Sequence, residues 1–213
     1  MAQDKLADFE PLNPAEAKLV DWLQDGQRGA CIISGSVPPD PPPPDHILRA
    51  SVVRYLALGG CDGCRLPSTG VQVQGAYILG DDTRGEETQG LDLEGATLPG
   101  DLALVACRVP DLILLRSARI KSLFLDGSVL GNGLNADRLQ ADGSVFLRGA
   151  TIKGAVRLLG ARIGGNLSCT NASLEAEGYA LSCDGLQADG DVSLRGATIK
   201  GEMRLLGARI GGN

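Results

Sequence analysis

Residues 144–166 read SVFLRGATIKGAVRLLGARIGGN, and 47 residues later 191–213 read DVSLRGATIKGEMRLLGARIGGN, with four positions changed. Within each copy the apolar residues come in pairs separated by one residue: Val145 and Leu147, Ala150 and Ile152, Val156 and Leu158, Ala161 and Ile163. The pairs start alternately five and six residues apart, so the basic unit is about 11 residues. Short strands at a fixed short period, punctuated by glycine, belong to stacked repeats and not to a globule with one central core.

Strand side chains alternate between faces, so Val156 and Leu158 point inward while Arg157 points out. Gly149-Ala150, Gly160-Ala161 and Gly207-Ala208 put small residues where the chain must turn a corner. Two units then make four short faces and close a square-sectioned coil of about 22 residues. Pair starts at Val71, Leu91, Leu102, Ile113, Leu123, Leu134, Val145, Val156, Leu167, Leu181, Val192 and Met203 predict twelve units. Those are six coils, on the order of 29 Å of rod at about 4.8 Å per stacked strand. Where a step is longer than a unit, the extra residues should be pushed outward, because core-facing pairs must keep register. DDTRGEETQG after the first unit and the three extra residues near Glu175 to Tyr179 are such places.

The chain before the repeat, 1–70, reads as a helical cap with a linker. Asn13-Pro14-Ala15-Glu16 is a helix start with a capping box, and Gly26 is placed to end that helix. Residues 36–45, SVPPDPPPPD, favour an extended polyproline strut. A second helix is expected over 45–58, stopped by Gly59-Gly60. Cys61 and Cys64 form the one CxxC, in the loop before the solenoid of 71–213.

At this point the pattern resembles the pentapeptide-repeat proteins, which have a small residue two places before a central aliphatic one. Ala150-x-Ile152, Ala161-x-Ile163, Ala172-x-Leu174 and Ala197-x-Ile199 carry the resemblance. It implies a mainly β, quadrilateral β-helix with a small α-helical N-terminal cap. The stretches ILRASVVRYLALGG, GVQVQGAYILG and LDLEGATL also look like a group of bacterial proteins labelled membrane-associated oxidoreductases. The chain has neither a glycine-rich phosphate loop opening a helix nor an apolar run long enough to span a membrane.

The same residues narrow the function classes. Catalysis needs an acid, base or nucleophile held in a concave, water-poor place. Here one histidine precedes the repeat, and the coil interior is filled by aliphatic residues and by Cys107, Cys169 and Cys183. The expectation is a non-enzymatic protein with no cofactor and no metal. Cys61 and Cys64 are the weak candidates for zinc or redox chemistry, although a tetrahedral site would need two more ligands. The N-terminus MAQDKLADFE has no signal-peptide character, so a cytoplasmic location and reduced cysteines are expected.

Function should therefore lie on the outside of the rod. Residues two units apart stack, so one outer column reads Ala103, Phe124, Phe146, Ser168, Ser193 and another Asp92, Leu114, Asn135, Arg157, Ser182, Arg204. Phe124, Phe146 and Leu114 are the expected interaction patch. A third column, Gly131, Lys153, Glu175, Lys200, alternates in charge and should stabilise the stack. The last unit pairs, Met203 with Leu205 and Ala208 with Ile210, are expected to form a C-terminal interface for a protein partner or a second copy, stacked end to end. The competing binding reading is a DNA mimic that modulates a topoisomerase. It requires rows of carboxylates, whereas 101–213 holds 11 acids and 13 bases. Direct nucleic-acid binding is not expected, because the bases lack interleaved aromatics.

Overall fold

The computed structural model describes residues 5–61, 69–80 and 90–212. They form a parallel β-solenoid of about six turns with two short α-helices at its N-terminal end. Each full coil has four faces. The coil beginning at Leu102 runs through Leu102–Val105, Arg108–Val109, Leu112–Leu114 and Arg119–Ile120, one strand per face. Equivalent strands of successive coils pair in parallel, as in Leu123 with Val145 on the first face and Leu134 with Val156 on the third.

Eight inward positions per coil fill the interior. In the fourth coil these are Val145, Leu147, Ala150, Ile152, Val156, Leu158, Ala161 and Ile163, none more than 1 % exposed. Their side chains meet the same positions one coil above and below, so the core is a continuous apolar column. Two corner positions carry the exceptions. Buried Ser128 takes the small corner slot above Cys107, accepting from the Cys107 N–H at 2.9 Å and donating to the Leu104 carbonyl at 2.6 Å. A hydroxyl placed there is tolerated because both its hydrogen-bonding roles are used.

The first helix, α1, spans Pro14–Gln24 as the capping box predicts: Glu16 N–H donates to Asn13 Oδ1 at 2.9 Å and Asn13 N–H returns a bond to Glu16 Oε2 at 3.0 Å. The second, α2, is shorter than 45–58. It covers Ala50–Ala57, because Ile47–Arg49 is a strand paired with Tyr77–Leu79. A second early strand, Cys31–Ile32, pairs with Val73 and Gln74. The N-terminal segment thus starts a coil, with one strand on the first face and one on the second. It closes that coil with α2, which packs against Gly90–Asp92 on the third face. This is how the apolar stripes of the helices are used: Leu19, Val20, Leu23, Val52, Val53 and Leu56 all join the solenoid core.

The three extra residues near Glu175 to Tyr179 do project outward, but as strand and not as loop. Ser173–Ser182 is one continuous strand that turns the corner between the second and third faces, and Thr198–Arg204 follows it with register shifts on either side of Tyr179. A neighbouring strand edge supplies hydrogen bonds that a free loop would have to find in water. The insertion DDTRGEETQ lies outside the described residues.

Candidate interaction surfaces

Phe124 and Phe146 stand on adjacent coils of the first face, in the register read from the sequence. Their rings stack with centroids 5.2 Å apart, and the Arg148 guanidinium lies 4.4 Å from the Phe146 centroid. Each ring is half-buried. The cover comes from the rings themselves and from Arg148, since the proline-rich segment runs over the second face. There Arg108 Nε donates to the Pro38 carbonyl at 2.8 Å and Tyr77 Oη meets Asp40 Oδ1 at 3.4 Å.

Leu114 does not join the two phenylalanines. It lies on the third face between Asp92 and Asn135, across the rod. The reason is the unit itself: 11 residues carry the chain past two corners, so successive units alternate between opposite faces.

The corners between faces carry cross-coil ion pairs. Asp126 takes both Arg148 Nε, at 3.0 Å, and Arg148 Nη2, at 2.8 Å. Asp137 binds Arg157 at 2.6 Å, and Asp184 binds Arg204 at 2.5 Å; Glu94 pairs with Arg116. The same carboxylates accept backbone N–H groups from the next coil, at Arg148, Leu159 and Leu206. Asp126, Asp137 and Asp184 thus each fix a turn and are neutralised in place. The alternating column behaves likewise, with Lys200 Nζ 3.4 Å from Glu175 Oε2.

The cysteines divide into two kinds. Burial pushes the thiols of Cys107, Cys169 and Cys183 up to about 12, so they remain protonated and unreactive at neutral pH. Cys31 is also free and buried. Cys61, by contrast, is disulfide-bonded, which corrects the expectation that every cysteine is a free thiol. A sulfur held in a disulfide has no thiolate to offer zinc. Cys64 lies outside the described residues. Among the described residues no three His, Cys, Asp or Glu side chains gather as a metal site, and no helix is long and apolar enough to cross a membrane.

The residues expected as a C-terminal interface belong to the sixth coil. Met203 is 46 % and Ile210 40 % exposed, while their counterparts one coil earlier, Leu181 and Ala188, are 1 % and 3 % exposed. Leu205 and Ala208 are half-buried.

The sequence reading passed over the fourth face. Its central outward column is Arg119, Gln140, Arg162, Gln187 and Arg209, in register over five coils. The signal was present as basic and amide residues recurring about every 22 positions. It was hidden because the strands carrying them are only two residues long.

No protein-family model matches the chain, and no curated protein or solved structure matches it either.

Proposed function

We propose that this chain is a non-enzymatic β-solenoid scaffold of the pentapeptide-repeat kind, and that it assembles through its sixth coil with the same coil of a second copy. The observation that carries the scaffold reading is the continuous apolar interior, whose inward positions in the second to fifth coils are all buried and leave the outer surfaces to act. The joint is placed on the apolar inward residues Met203, Leu205, Ala208 and Ile210 of the sixth coil. Exposed strand edges and apolar side chains together favour pairing with another β-coil. The near-identity of the sixth coil to the fourth adds the chemistry of the fit. The fourth carries a parallel coil on the equivalent surface, where Val156 pairs with Leu181 and Ile163 with Ala188, and a second copy's sixth coil would meet the same kind of apolar residues with its strands reversed. A solid apolar interior and protonated core thiols support placing the function outside the rod.

Sedimentation equilibrium over a wide concentration range tests it. Dimer formation is expected, and Met203→Glu with Ile210→Glu should abolish it, because like charges would then meet across the joint. A wild-type monomer at every concentration would overturn the proposal.

A further inference from the structure

The fourth face differs from the corners in how its cations are held. Arg116, Arg148, Arg157 and Arg204 are all paired with a carboxylate one coil away. Arg119, Arg162 and Arg209 are exposed, and their guanidinium groups meet no partner among the described residues. Gln140 and Gln187 stand between them in the column, also exposed. Two flanking columns complete the face: Ser117, Arg138, Gly160, Gly185, Gly207 on one side and Lys121, Asp142, Gly164, Asp189, Gly211 on the other. Coil by coil, the formal charge of these three columns is therefore +2, 0, +1, −1 and +1. The positive charge comes on alternate coils, and the later coils have a floor of glycine with no side chain to hinder close approach.

We propose that the fourth face binds an acidic polyproline II segment of a partner protein, with a carboxylate at every third residue. Spacing decides between the conformations such a partner could take. Stacked strands repeat at about 4.8 Å, so arginines on alternate coils stand about 9.6 Å apart. A polyproline II chain advances about 3.1 Å per residue with three residues per turn, so every third side chain points the same way about 9.3 Å further on. An extended strand covers about 9.9 Å in three residues, but its third side chain points to the opposite face. A helix returns to the same face after seven residues, about 10.5 Å, and falls about 2 Å out of step over two intervals.

Chemistry agrees with the spacing. Each guanidinium can grip a carboxylate with two parallel hydrogen bonds. A polyproline II backbone has no internal hydrogen bonds, so its carbonyls are free to accept from the Gln140 and Gln187 amides. Asp142 and Asp189 beside those glutamines repel a uniformly anionic polymer at alternate coils, which disfavours nucleic acid and leaves a carboxylate-every-third chain untouched. The proposal adds a partner class to the scaffold reading and uses a different surface from the sixth-coil joint.

The test is fluorescence anisotropy at low salt with a labelled Pro-Pro-Glu repeat peptide. Saturable binding is expected, and Arg119→Gln, Arg162→Gln and Arg209→Gln together should weaken it about tenfold or more. Arg148→Gln, on another face, should leave it unchanged. A peptide of the same composition with its glutamates clustered at one end should bind several-fold more weakly. The three arginines make no contacts that the fold needs, and an unchanged melting curve for the triple variant would verify this. No binding, equal binding of the clustered peptide, an unaffected triple variant, or equally effective competition by duplex DNA would each overturn the proposal. Because the peptide assay does not depend on dimerisation, failure of the sixth-coil joint in sedimentation would leave this result standing.

Discussion

Arg49 clamps Glu16 across 33 residues of sequence: its Nε donates to Oε1 at 2.8 Å, its Nη2 to Oε2 at 2.7 Å, and its backbone N–H to Oε1 at 3.0 Å. Glu16 is fully buried, and its carboxylate also accepts the Asn13 N–H that closes the capping box. One carboxylate thus starts α1 and ties it to the strand Ile47–Arg49, the first strand of the second face. Glu16→Ala should cost about 2–4 kcal/mol, since it removes several charge-assisted bonds and takes from Arg49 the carboxylate that balances its charge. Trp22, the single tryptophan, sits on α1 and reports the loss as an earlier fluorescence transition in denaturant. A transition coincident with wild type would count against this role.

The core thiols make stability fall in alkali. Cys107, Cys169 and Cys183 are raised from 9.0 to about 12 by burial. The unfolded chain therefore loses these protons first. Their contribution is whole below about pH 9 and declines as pH rises toward about 12, by about 1.4 kcal/mol per pH unit for each thiol. Replacing all three with alanine should flatten that part of the curve in urea titrations at a series of pH values.

Two glycines separate backbone strain from close packing. Gly207 has φ +67° with nothing within 4 Å of where a Cβ would stand, so Gly207→Ala should cost about 1–2 kcal/mol from the left-handed conformation alone. Gly133 has φ +88°, and a Cβ there would lie 2.5 Å from the Ala155 carbonyl oxygen of the next coil. Gly133→Ala should cost clearly more, because it also forces the coils apart. Equal costs in thermal unfolding would refute the distinction.

Phe124 and Phe146 should be energetically coupled. A double-mutant cycle with Phe124→Ala and Phe146→Ala is expected to give about 0.5–1.5 kcal/mol beyond additivity, the value of an offset aromatic pair. Strict additivity would mean that the rings merely share a face.

The register of the later coils was legible because each inward pair is marked by its own spacing, and a one-residue slip would turn Leu158 or Ile163 to water. Phe124 over Phe146, Asn135 over Arg157 and Lys153 beside Glu175 all follow from counting. The grouping of Leu114 with the phenylalanines ignored the same count, since Leu114 belongs to the other column and an odd number of units puts it on the opposite face.

By itself the sequence determined the repeating coil, since alternating apolar pairs and small corner residues have one economical way to hide from water. Tertiary structure decided what the sequence marks only weakly. Cys31–Ile32 and Ile47–Arg49 are too short and too aperiodic to announce themselves, and they become strands because the first coil presents an edge whose backbone groups need partners. Stacking likewise decided which charges are spent on neighbours and which stay free. Arg148 finds Asp126 one coil below, while Arg119, Arg162 and Arg209 stand in register with the uncharged Gln140 and Gln187 along their column.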